Sequence, residues 1–183
     1  MRPISLITLS IIPTLLFASP SADEAAKAKG DQISTMLLQK LGGELKSQMQ
    51  TSGPLGALRF CSQHALTLTD EIAKKSDTSI RRVSLNHRNP INKPTPSETA
   101  LLQEWETFLK NSSPLPANHL VHRPEGKTLY YKPLLINNEA CLKCHGNVSP
   151  ELAGAIAEMY PEDKATGYKM GDLRGMIAIE LTR

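Results

Sequence analysis

"HLVHRPEGKTLYYKPLLI", residues 119 to 136, decides the fold of this chain. Two strand-like runs, "HLVHR" (119–123) and "KTLYYKPLLI" (127–136), flank Glu125 and Gly126, a turn signal, so the stretch predicts an antiparallel hairpin. Working outward, "SIRRVSL" (79–85) and "RGMIAIEL" (174–181) predict two further strands. Upstream the period changes. Between Asp23 and about Gln50, residues Ile33, Leu37, Leu41, Leu45 and Met49 recur every four positions, which predicts an amphipathic helix weakened at Gly42 and Gly43. After a break at Gly53 and Pro54, a second helix places Leu58, Cys61, Ala65, Leu68 and Ile72 on one face. "TPSE" (95–98) reads as a capping box, with Thr95 as cap, Pro96 at the first position and Glu98 reaching back. The helix it opens buries Leu101, Leu102, Trp105, Phe108 and Leu109, which makes Trp105 a core residue. Helices followed by antiparallel strands indicate an α+β domain with long N-terminal helices, not a doubly wound sheet.

The first 22 residues, "MRPISLITLSIIPTLLFASPSA", read as a secretory leader: Arg2, an apolar run from Ile4 to Ala18, then small residues near a cleavage point. That run is interrupted by Pro13 and falls short of the roughly 20 apolar residues a membrane span needs, so no stable span is expected after cleavage. Residues 23–183 are then one domain with a real core. The formal charge of +3 loses one unit when Arg2 leaves with the leader. With so small an excess, 4 % aromatics and no Lys/Arg run, nothing tracks phosphates, and nucleic acid is excluded as a partner.

"CLKCHG", residues 141 to 146, holds two of the chain's three cysteines. A C-x-x-C pair suits a redox disulfide, half a zinc site or the anchor of a c-type haem, and the histidine that follows selects the last. In that reading Cys141 and Cys144 bind the haem through sulfur, and His145, next on the same helical turn, reaches the iron. Zinc needs two further ligands, and no second C-x-x-C or paired Cys/His cluster exists. A thioredoxin-like site needs a strand before the motif, whereas Asn137 and Asn138 read as a helix cap. Attachment of haem to such a motif takes place outside the bacterial inner membrane, which agrees with the leader and places the protein in the periplasm. The predicted strands also set it apart from helical cytochromes.

The combination of "RFCSQHA" on a helix, "SLNHRNPINKP" after a strand, "CLKCHG", and "YPEDKATGYKMGDLRG" before the last strand resembles the Tll-type single-haem c proteins, over Ala25 to Thr182. The resemblance implies a PAS-like fold, one covalent haem c, and iron held by His145 on one face and Cys61 on the other. It also implies a free periplasmic protein or a sensor module, with an unknown redox or signalling partner.

The residues by themselves leave Cys61 open. With Cys141 and Cys144 consumed it has no disulfide partner, and it is either an inert core cysteine or an iron ligand. Alternatives for the sixth position are His64, one turn from Cys61, then His87, His119, His122, Met159, Met170 and Met176. His119 and His122 form an HxxH, but on a strand the two point to opposite faces. Among the arginines at 81, 82 and 88, Arg88 is the candidate partner of a haem propionate. A thiolate ligand favours ferric iron and is held less tightly on reduction, which suits a redox or small-gas (NO or CO) sensor better than a fast electron shuttle, and no enzyme is expected. An electron-transfer cytochrome would keep both ligands in both states, and a peroxidase-like enzyme would need an open face served by His64 and Arg88.

Overall fold

In a computed structural model, residues 20–182 are described. The leader expected over 1–22 therefore lies, but for its last three positions, outside the described residues. Helix α1 runs Ala22–Gln63 and opens with its own capping box, in which Ser21 accepts from Glu24 N and Glu24 returns a bond to Ser21 N. It kinks at the predicted break, where Gly53 has φ 64° and ψ −166° and Pro54 follows. Only glycine enters that backbone region freely, so the kink is written into the residue. Among the described residues no helix is long and apolar enough to cross a membrane.

The second predicted helix is corrected by a second break, at His64 (φ −122°, ψ −22°), which separates α1 from α2, Ala65–Lys75. Leu58, on the α1 side, packs with Leu152, Ile156 and Tyr160. Ala65 and Ile72, on α2, pack with Ile33, Leu37 and Ile80. The break thus lets one continuous apolar pattern serve two different cores.

Strand β1 spans Ser79–Val83, α3 Pro96–Lys110, β2 His119–His122, β3 Thr128–Leu135, α4 Glu139–His145, α5 Pro150–Met159 and β4 Leu173–Leu181. The sheet order is β1-β4-β3-β2, every pair antiparallel, which is the α+β architecture the hairpin predicts. The Thr95–Glu98 capping box stands as expected, with Thr95 Oγ1 accepting from Glu98 N and Glu98 accepting from Thr95 N.

Alternation along β4 builds both sides of the sheet. Ile177, Ile179 and Leu181 face α1 and α2 and meet Ile33, Leu37, Leu41 and Tyr130. Met176 and Ala178 face α3 and meet Val83, Leu102, Tyr131 and Trp105, which is 1 % exposed and a core residue as predicted. Apolar burial of this kind contributes roughly 1.5–3 kcal/mol per large side chain. At the far end of β3–β4 the register shifts between Leu134 and Leu135, beside Gly175 (φ 150°), whose missing Cβ leaves room for the Val83 carbonyl. Two backbone bonds continue past it, Ile136 N to Asp172 O at 2.9 Å and Gly171 N to Ile136 O at 2.8 Å. They bring the loop before β4 alongside the segment that starts α4.

Candidate functional site

Helix α4 is short, and its cap is local: Asn138 Oδ1 accepts from Ala140 N at 2.8 Å. It carries Cys141, Cys144 and His145, all half-buried, and ends at Gly146, whose N–H donates to Leu142 O at 2.8 Å. The loop over residues 160–172 latches onto it, Tyr168 N donating to His145 O at 2.9 Å and Gly167 N to Gly146 O at 3.0 Å. The rings of His145 and Tyr168 meet edge to face with centroids 6.2 Å apart.

His145 Nδ1 lies 2.8 Å from the carbonyl of Ala165. A carbonyl only accepts, so Nδ1 carries the proton and the Nε2 lone pair is free for a metal. Burial, reinforced by the cations of Arg174 and Arg88, holds the imidazolium down to about 3. At neutral pH His145 is therefore a neutral imidazole, the form able to coordinate a metal.

Arg88 is itself buried, on the loop after β1. Its Nε donates to Asp163 Oδ1 at 2.8 Å, and its Nη2 donates to Cys144 O at 2.7 Å and Ala165 O at 3.3 Å. The carboxylate facing this guanidinium is thus Asp163. Its Nε and Nη2 are committed to these protein acceptors. Arg81 is likewise taken, by Glu98 on α3. Arg82 pairs in register with Ile177 and so shares the sheet face covered by α1 and α2. Among the described residues it has no carboxylate partner.

Cys61 sits in the last turn of α1, half-buried. Burial pushes its thiol up, the Arg82 cation pulls it down, and Cys144 adds to the upward push. The two cysteines therefore share one neighbourhood. Cys144 packs on the cluster of Leu58, Leu152, Ile156 and Tyr160, and Met159 borders the same cluster. All three cysteines are free thiols.

Other sequence candidates fall elsewhere. His64 is exposed and faces the Phe60 ring at 5.8 Å. His119 packs on Tyr131, and His122 binds Thr128 and Asp23. Met170 is exposed and Met176 lies in the core under α3. His87 is buried with Nδ1 unpartnered among the described residues. Strand β3 ends at Leu135, so a strand does precede the C-x-x-C; the all-antiparallel sheet is what sets it apart from thioredoxin.

The reading of the sequence missed Asp163 as a partner of Arg88, and Arg174, which donates to Ser84 Oγ and Asn86 O and lies 5.4 Å over the Tyr168 ring. Both lie inside the "YPEDKATGYKMGDLRG" stretch, whose clustering of charge and glycine was the available signal.

These donors fit a haem: two thiols on one helical turn, an imidazole with an open Nε2, and a third thiol on α1, which contacts α4. Among the described residues no three His, Cys, Asp or Glu side chains converge as a metal cage, which is what a structural zinc would require. A cleft of about 170 Å³ lined by Val148, Ile156, Tyr160 and Asp163 adjoins the site. It is smaller than usual ligand cavities, roughly 300–1,000 Å³. The case for a bound group rests on the donor atoms.

Fold and site together define an α+β domain built around a C-x-x-C-H helix. The chain belongs to the Tll0287-like family, whose model matches residues 19–182. Among solved structures it is similar to the cyanobacterial heme-protein Tll0287, with a TM-score of 0.65 and 26 % identity over 90 % of this chain and 98 % of that one. A search of curated proteins gave no match.

Proposed function

We propose that this chain is a periplasmic c-type haem protein that senses redox state or a small gas. The observation that carries the reading is the His145 Nδ1–Ala165 bond, because it orients the imidazole and leaves Nε2 as the open lone pair, on the same turn as the two C-x-x-C thiols. A solved relative described as a heme-protein supports it.

Cys141 and Cys144 would hold the haem as thioethers, and His145 would bind one face of the iron. The bound group supplies a one-electron couple; the chain's own residues set its terms. Cys61 would supply the second ligand, because it is the thiol left over and it shares the neighbourhood of Cys144. Burial keeps the free thiol neutral, and ferric charge is what favours its thiolate. Arg82 fits a haem propionate, since a half-buried guanidinium without a carboxylate needs one.

Release of Cys61 on reduction would open a position for carbon monoxide or nitric oxide, which is sensor behaviour. A peroxidase-like enzyme is disfavoured by the placement of His64, exposed against Phe60, and of Arg88, bound to Asp163. In cells that mature cytochromes c, the denatured protein should stain for haem near its mature mass. A colourless band would end the proposal. Retention of both ligands on reduction would instead make the protein an electron carrier.

A further inference from the structure

Two motifs begin with oppositely charged residues: Arg88 opens "RNPIN" and Asp163 opens "DKATGY". We propose that they form one buried relay that sets how strongly the axial histidine is hydrogen-bonded, and through it the reduction potential of the iron. The inference rests on the haem reading above.

The geometry is a closed ring. Asp163 Oδ1 accepts from Arg88 Nε at 2.8 Å and from Ala165 N at 3.2 Å. The carbonyl of Ala165, a residue with no exposed surface, accepts from His145 Nδ1 at 2.8 Å and from Arg88 Nη2 at 3.3 Å. Arg88 Nη2 also donates to Cys144 O, at 2.7 Å. One guanidinium therefore grips the attachment helix and shares an acceptor with the ligand histidine.

The pair is 10 % and 9 % exposed. A buried ion pair is a weak route to stability, because desolvation offsets much of the attraction. A role in tuning explains its presence where stability does not.

The sign follows from who donates to the shared carbonyl. Arg88 withdraws electron density from Ala165 O and so weakens it as acceptor for His145 Nδ1–H. A weaker acceptor leaves the imidazole less anionic, which disfavours ferric iron and raises the potential. Asp163 acts against this by neutralising Arg88. Arg88 and Asp163 are thus positioning residues acting in opposite directions through His145.

The test is spectroelectrochemistry of the haem-loaded protein, with electron paramagnetic resonance to verify that each variant keeps the wild-type ligands. Asp163→Asn should raise the midpoint by about a tenfold change in the redox equilibrium, ~59 mV for one electron. Arg88→Gln should lower it. Arg88→Lys, which keeps the charge but loses the contacts to Ala165 and Cys144, should also lower it and should not rescue. Shifts of the same sign in Asp163→Asn and Arg88→Gln would show a merely structural clamp and overturn the relay. A wild-type midpoint in Arg88→Lys would show action through space and overturn it as well. If the Arg88 variants do not keep haem, the near-isosteric Asp163→Asn decides alone, and an unchanged or lowered midpoint sinks the proposal. Failure of the wild-type chain to bind haem would strike the haem reading; normal haem with an unmoved potential strikes only the relay.

Discussion

Asp31 and Asp163 are both carboxylates that gather donors from distant parts of the chain, and they do different work. Asp31, on α1, accepts from Tyr130 Oη at 2.6 Å, Lys132 Nζ at 2.8 Å and Asn118 Nδ2 at 3.2 Å, and its side chain is 42 % exposed. Its donors end on the sheet, so the network ties α1 to β3 beside an apolar core. Asp163 is 9 % exposed, and its donors lead through Ala165 to His145. What separates a tether from a tuning device is what stands at the far end of the hydrogen bonds.

The contrast predicts that variants split into two sets, one moving the haem and one moving stability. Replacing Cys141 and Cys144 with serine has the largest expected effect: covalent haem disappears from the denatured protein, read by haem staining. Any remaining covalent haem would break the assignment. On the other side of the contrast, Trp105→Ala should cost about 3–5 kcal/mol in denaturant titration while leaving the haem spectrum of the folded protein unchanged. A changed spectrum would place α3 at the site. Gly30→Ala is expected to cost ~1–3 kcal/mol, because a Cβ at Gly30 would run into the Tyr130 ring.

Asp31→Asn sharpens the comparison with the smallest effect, about 1–2 kcal/mol of stability with no shift in midpoint. Burial alone would raise the Asp31 carboxyl, but the donors from Lys132, Tyr130 and Asn118 hold it below its ordinary 3.8. The unfolded chain therefore takes up the proton first as pH falls. This contribution is complete above 3.8 and is lost as pH drops through the lower folded value. An acid unfolding profile identical in wild type and Asp31→Asn would contradict it.

Local signals in the sequence carry much of the fold. Thr95 and Glu98 cap α3 with atoms three residues apart, Gly53 and Pro54 kink α1, and the hairpin turns over residues 124–126, and each of these needs no information from elsewhere in the chain. The break at His64 escapes such reading, because Leu58 and Ala65 keep one apolar period while packing in different cores. At the site, the C-x-x-C-H turn is legible because its three residues lie within five positions of one another. The Arg88–Asp163 pair is not, since its members lie 75 positions apart and meet only when the loop before β4 folds back on α4. Arg88 is legible as a candidate partner for a propionate; the carboxylate that claims it is not. The shared neighbourhood of Cys61 and Cys144 likewise depends on α1 meeting α4.

In the proposed haem protein an imidazole fixed by Ala165 and a leftover thiol hold one iron. Electron paramagnetic resonance of the ferric protein, wild type against Cys61→Ala, tests it most directly. The wild type should give a low-spin thiolate signal, and Cys61→Ala should lose it and accept carbon monoxide after reduction. An unaltered ferric spectrum in Cys61→Ala would contradict the account, and would leave Cys61 a core cysteine and the second ligand to be sought at Met159 or His87.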